Sequence, residues 1–158
     1  MTLRDRLHDD TTAAMRSGDA LRRDVLRMVQ SAIYNVEKAK RITLSEDDVL
    51  GVVTREVKTR RESVDAFRKG GREDLATKEE AEIAILTGYL PEALTDAQLQ
   101  ALVDEAITAT GAASARDLGK VMGWLAPRTR GRADGKVVSG LVAQALARSD
   151  LAAHAADH

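Results

Sequence analysis

The 158-residue sequence contains no cysteine, only two prolines, and few aromatic residues: one tryptophan, two tyrosines and one phenylalanine. The absence of cysteine excludes disulfides, thiolate metal sites and cysteine nucleophiles. Because aromatic side chains are so few, aliphatic side chains must fill any hydrophobic core. No apolar run approaches the roughly 20 residues that a membrane-spanning helix needs, and the first residues lack the apolar segment of a signal peptide. These absences predict a cytoplasmic protein that does not associate with a membrane.

Sequence motifs of common catalytic sites are also missing. The sequence has no phosphate-binding loop, nucleophile elbow, dinucleotide fingerprint or zinc-protease motif. The acidic stretch at 73–82 lies on one predicted helix together with Lys78, so we interpret it as a solvated face rather than a metal site. We therefore predict no catalytic residue, no metal site and no cofactor.

The apolar residues recur at spacings of three and four, which predicts helices throughout the chain and no sheet. Residues 45–48 and 95–98 have the pattern of capping boxes and mark two helix starts. Pro127 is expected to end the sixth helix, and Asp134 to cap the last one. Four basic residues of the third helix are interpreted as its outer, solvent-facing side: Lys58, Arg60, Arg61 and Arg68.

The best candidate for a domain boundary is the segment 89–91, because proline disfavours helix in the residue before it. We predict an all-α protein with an N-terminal four-helix bundle over residues 1–90 and a C-terminal three-helix domain over 91–148. The alanine-rich end, residues 149–158, is expected to be a frayed tail. The C-terminal domain, at about 60 residues, is close to the lower limit for autonomous stability.

Charge is distributed unevenly only in the second half of the chain. Residues 116–136 hold six basic and two acidic side chains, whereas residues 91–110 hold four acidic and no basic ones. Within the basic segment, Arg128, Arg130 and Arg132 alternate in what we expect to be an extended loop, so that their guanidinium groups face one side. Guanidinium groups match phosphate oxygens, and the loop leads into a helix start, whose free N–H groups favour anions. The sequence therefore makes this loop a candidate phosphate-binding surface.

Two alternatives stay open for this segment. The arginines could instead pair with the acidic helix at 91–110, which would make the loop an ordinary solvated connection. Trp124 could stack on a base, but a tryptophan is more often a partly buried core residue, and we favour that interpretation.

Six segments together resemble the GatB/YqeY domain family, and stand-alone YqeY-like proteins in particular. The resemblance covers nearly all of residues 2–148, and the order and spacing of the six segments make it specific. The segments are LRMVQSAI at 26–33, REVKTRRES at 55–63, GREDL at 71–75, YLP at 89–91, DLGKVMG at 117–123 and GRADGK at 131–136.

The resemblance implies a helical N-terminal bundle followed by a domain similar to the tail of the B subunit of the glutamine-dependent aspartyl/glutamyl-tRNA amidotransferase. In that enzyme the tail helps to hold the tRNA, while glutamine hydrolysis and ATP-dependent activation occur elsewhere. The family label is carbon–nitrogen ligase activity with glutamine as amido donor, but the residues of this chain do not indicate autonomous catalysis.

We therefore expect an accessory protein that binds tRNA, or an RNA-containing complex, through the C-terminal domain. The expected phosphate contacts are Lys120, Arg128, Arg130, Arg132 and Lys136, and the glycines expected to allow close backbone approach or a turn are Gly119, Gly131 and Gly135. The alternative is an adaptor that docks on a protein partner through the N-terminal bundle without contacting RNA.

Overall fold

A computed structural model describes residues 1–156, and these residues form α-helices and connecting turns without any strand. The all-α prediction is confirmed. The helices are α1 (Leu3–Ser17), α2 (Ala20–Lys40), α3 (Glu46–Lys69), α4 (Glu73–Thr87), α5 (Asp96–Thr110), α6 (Leu118–Thr129) and α7 (Gly135–Ala156), with a short 3-10 helix at Ala115–Asp117. None of the helices in this described part is long and apolar enough to cross a membrane.

Local hydrogen bonds at the helix starts explain where several helices begin. The hydroxyl groups of Thr2, Ser45 and Thr95 each accept a hydrogen bond from the backbone N–H three residues later, and the side chain at that later position accepts one from the cap's own N–H. Such caps each stabilise a helix by about 1 kcal/mol. The capping boxes predicted at 45–48 and 95–98 are therefore present.

The chain divides into two compact units, Met1–Pro91 and a second unit that begins at Glu92. In the first unit, α3 packs along α4 and α1 packs along α2. The fully buried side chains there include Leu7, Leu26, Val53 and Leu86. In the second unit, α5, α6 and α7 pack against each other around a separate cluster. Its fully buried members include Val103, Val121, Leu125, Val142 and Leu146.

The prediction that Pro127 ends α6 is wrong, because the helix continues to Thr129. Proline removes one backbone hydrogen bond, to the carbonyl four residues earlier. Here that carbonyl belongs to Gly123, and both residues are exposed, so water can replace the missing donor. The buried stripe continues beyond the proline from Leu125 to Thr129, and that burial keeps the last turn helical.

The alanine-rich segment predicted to be a frayed tail is helical as far as the structure describes it. Helix α7 continues through this segment to Ala156, and residues 157–158 lie outside the described part of the chain. Alanine has the highest intrinsic helix propensity, so an alanine-rich segment can prolong a helix that tertiary packing has already nucleated.

Candidate nucleic-acid interface

The three alternating arginines do not share one extended loop. Arg128 lies in the last turn of α6, Arg130 caps the end of this helix, and Arg132 lies in the short turn before α7. The expectation that all three face one side because of an extended backbone is therefore wrong. The cause is the continuation of α6 through Pro127, which places the first arginine on a helix.

Arg128 stacks on the tryptophan one turn before it. The centre of its guanidinium group lies 3.6 Å from the centroid of the Trp124 ring, and Nη1 also donates a hydrogen bond to the Trp124 carbonyl. Trp124 is half-buried and packs against the core of the second unit, as the sequence predicted. A guanidinium group held over an indole ring is a cation–π pair, and it fixes the position of an exposed positive charge.

Arg132 has a structural role within the second unit. Its Nε–H donates to the carbonyl oxygen of Glu92 at 3.0 Å, and its own carbonyl accepts the N–H of Leu94 at 2.9 Å. These two bonds attach the segment before α5 to the turn before α7. This is not the predicted alternative of an arginine paired with an acidic side chain of the helix at 91–110, because the acceptor is the backbone carbonyl of Glu92, which precedes α5.

The glycines of the predicted site have different roles. Gly131 adopts φ 74°, a left-handed conformation that glycine takes readily, and so forms the turn after α6. Gly119, in the first turn of α6, and Gly135, the first residue of α7, have open space where a Cβ would stand. Their backbone is therefore accessible to another molecule.

One of the free N–H groups at the start of α7 is already bound by a side chain of the protein. The Asp134 carboxylate accepts the N–H of Lys136 at 2.9 Å, as expected for a helix cap. A ligand anion at this helix start would therefore compete with a carboxylate of the protein itself.

Helix α6 instead assembles a basic stripe that the loop interpretation missed. Lys120, Trp124 and Arg128 are spaced by four residues and therefore lie along one side of the helix. We call these three residues the α6 stripe; Lys120 and Arg128 are exposed at its two ends, about 12 Å apart along the helix axis. The spacing of four was visible in the sequence, but the expected helix end at Pro127 obscured it.

The carboxylate of Asp117, three residues before Lys120, accepts hydrogen bonds from the backbone. Asp117 accepts the N–H groups of Ala113 at 2.8 Å and Ser114 at 3.3 Å. These backbone hydrogen bonds lower the pKa of Asp117, and Lys120 contributes in the same direction.

Within residues 1–156 no group of three or more histidine or carboxylate side chains is arranged to hold a metal ion.

Comparison with known proteins identifies the family. The family model for YqeY-like proteins matches residues 4–146. Altered inheritance of mitochondria protein 41 of Pyrenophora tritici-repentis is 31% identical over 137 residues, which cover 85% of this chain and 75% of that protein. The protein of the same name from Lachancea thermotolerans is 29% identical, with 86% of this chain and 76% of the relative covered. Because the match extends over almost the whole sequence, the chain belongs to the YqeY-like protein family.

Proposed function

We propose that this protein binds tRNA through the second unit, with the α6 stripe as the central contact. The observation that carries the proposal is the stripe itself, in which two exposed cations flank an aromatic ring. Arg130 and Lys136, both exposed, follow it in the chain and extend the basic segment. The resemblance to the tail of the tRNA amidotransferase B subunit supports tRNA as the ligand and a three-helix domain as the binding module.

The chemistry of the stripe suits a phosphate backbone. Lysine and arginine neutralise phosphate charges and release counterions, which provides affinity without reading sequence. The arrangement of Arg128 over Trp124 reduces the conformational freedom that the guanidinium group would lose on binding. Arg132 uses its Nε–H to hold the segment at Glu92, and its two terminal nitrogens remain as donors for a phosphate.

The proposed role is accessory binding and not amide transfer. Glutamine hydrolysis would need an activated nucleophile beside a positioned base, and ATP-dependent activation would need a phosphate cradle. The sequence contains no motif for either reaction. The fungal relatives are named as mitochondrial proteins, and the sequence of this chain predicts the cytoplasm; tRNA binding fits either compartment.

Charge reversal on the stripe tests the proposal. The double variant Lys120→Glu/Arg128→Glu should bind unfractionated tRNA at least about tenfold more weakly in a filter-binding titration, and should lower the salt slope by about two, since two phosphate contacts are lost. Arg148→Glu is the matched control, because Arg148 is an exposed arginine on α7 of the same unit, outside the basic segment. It should change the affinity by less than about threefold.

Circular dichroism and thermal unfolding must show that both variants remain folded. If the folded double variant keeps the parent's affinity and salt slope, the second unit does not bind tRNA through α6. Docking of the first unit on a protein partner then becomes the function to test.

A further inference from the structure

The first unit contains an open cavity of about 450 Å³ at the end of α2. This volume is within the range of small-molecule sites. Two apolar side chains of its lining are unusually accessible: Tyr34 is 62% exposed and Ile42 is 50% exposed. The full lining comprises Tyr34, Glu37, Lys38, Arg41, Ile42 and Thr43.

The single acidic residue of the lining, Glu37, is already paired with a positive charge. Glu37 accepts hydrogen bonds from both terminal nitrogens of Arg4, at 3.1 and 2.8 Å, and from the N–H of Leu44 at 2.8 Å. These contacts, led by the bond from Arg4, hold the pKa of Glu37 below its usual value. Glu37 therefore remains ionised but is paired with an arginine from outside the lining.

The cations of the cavity have no such partner. Within the described chain, the side chains of Lys38 and Arg41 take part in no ion pair or hydrogen bond. The carbonyl end of α2 carries a partial negative charge of roughly half a unit, which the two full positive charges of Lys38 and Arg41 outweigh. The cavity is thus positive beside an exposed aromatic ring.

Arg41 ends α2 in a left-handed backbone conformation. Arg41 has φ 55° and is the only non-glycine residue with positive φ in the described part of the chain. Its N–H and that of Ile42 both bond to the Glu37 carbonyl and close the end of α2. Glycine would adopt this conformation at lower free energy, although a left-handed residue is a common way for a helix to end.

We propose that this cavity binds a nucleotide, whose base stacks on Tyr34 and whose phosphate lies between Lys38 and Arg41. The inference goes beyond the proposed function, since it concerns the first unit and does not depend on the α6 stripe. Two kinds of ligand carry the required base and phosphate: a free mononucleotide, and an unpaired nucleotide of an RNA. An aromatic ring supplies stacking for any base, and the two cations match a phosphate.

Isothermal titration of the full chain with AMP and with a 5′-phosphorylated adenosine hexanucleotide tests the inference. Tyr34→Ala and Lys38→Ala should each weaken binding at least about fivefold, from lost stacking and a lost phosphate contact respectively. Lys40→Ala is the matched control, because Lys40 is a neighbouring exposed lysine on α2 that does not line the cavity. It should change the affinity by less than about twofold.

Arg41→Gly separates binding from stability. This variant loses the charge but suits the left-handed backbone, so it should bind more weakly while its thermal midpoint stays equal to or above that of the parent. Equal affinity for AMP and the hexanucleotide would indicate a free nucleotide as the ligand. Binding of the hexanucleotide alone would indicate RNA.

Two results would overturn the inference: no heat of binding with either ligand at millimolar concentration, or equal losses in Lys38→Ala and Lys40→Ala without any effect of Tyr34→Ala. The tRNA proposal is tested independently of this inference. The Lys120→Glu/Arg128→Glu variant should bind AMP as the parent does, whatever its affinity for tRNA.

Discussion

At the scale of single residues, the least expected feature is a buried ion pair in the first unit. The Arg60 side chain is only 6% exposed and that of Glu82 is 11% exposed, with 3.6 Å between Nε and Oε2. Arg60 also donates to the Glu56 carboxylate at 2.7 Å, but its Nε has no hydrogen-bond partner. The predicted outer position of Arg60 and the predicted solvated position of Glu82 are both wrong.

The sequence did contain a signal for the position of Arg60. The buried residues Val53, Val57, Arg60 and Val64 are spaced by four, three and four, so the arginine lies on the apolar stripe of α3. Charge alone assigned it to the surface, and periodicity would have assigned it to the core. Removing two charges from water costs several kcal/mol per ion, and their attraction only partly offsets this.

Replacing Glu82 by Gln should change how stability depends on pH. Burial, followed by the charge of Glu79, raises the pKa of Glu82 in the folded protein, while Arg60 opposes the shift. The folded state therefore binds a proton more readily than the unfolded state, and the parent gains stability as the pH falls through the folded pKa. Glutamine does not titrate, so the unfolding free energy of the parent minus that of Glu82→Gln should increase from pH 7 to pH 5.

Urea denaturation of both proteins at the two pH values measures this difference. Far-UV circular dichroism must first show equal helix content at each pH. A difference that stays constant, or that decreases as the pH falls, would contradict the raised pKa of Glu82.

At the scale of elements, the sequence predicted what is locally determined and missed what depends on tertiary packing. The capping boxes at Ser45 and Thr95 involve residues only three apart, so their pattern was sufficient. The length of α6 depends on the burial of Thr129 in the second unit, which a local rule about Pro127 does not contain. Because the predicted end of α6 was Pro127, Arg128 was expected in a loop. The shared side of Lys120, Trp124 and Arg128 on α6 was therefore missed.

The last turns of α7 allow a direct comparison of exposed and buried segments. Ala145 and Leu146 are buried, whereas residues 150–155 are all exposed. A chain ending at Ser149 should therefore unfold within about 2 °C of the parent, because surface changes of this kind cost little. A chain ending at Gln144 also loses Leu146 and should be destabilised by about 2–5 kcal/mol in the second unit.

Differential scanning calorimetry of the two shortened chains separates these cases. A drop of more than about 5 °C for the chain ending at Ser149 would show that the exposed turns contribute to the stability of α7 beyond their own helical hydrogen bonds. Equal midpoints for both shortened chains would contradict the role of Leu146 in the core.

At the scale of the whole molecule, each unit has its own hydrophobic core. The buried cluster of the first unit is drawn from residues between Leu3 and Tyr89, and that of the second from residues between Leu99 and Leu146. The two proposed activities follow the same division, with the cavity at the end of α2 in the first unit and the α6 stripe in the second. A protein built in this way could bring a nucleotide and a tRNA to one chain without either site sharing residues with the other.

The boundary after Pro91 makes this independence testable, because fragments 1–91 and 92–158 each retain a complete core. Both should be helical when produced separately, and the sum of their circular dichroism spectra should reproduce the full chain. The second fragment is the more demanding case. Domains of about 60 residues bury only about 60% of their unfolded surface, so its free energy of unfolding should be the lower one in urea. Absence of a cooperative transition in fragment 1–91 would contradict a self-sufficient first unit. A second fragment that becomes helical only when fragment 1–91 is added would show that its own core is too small to fold alone.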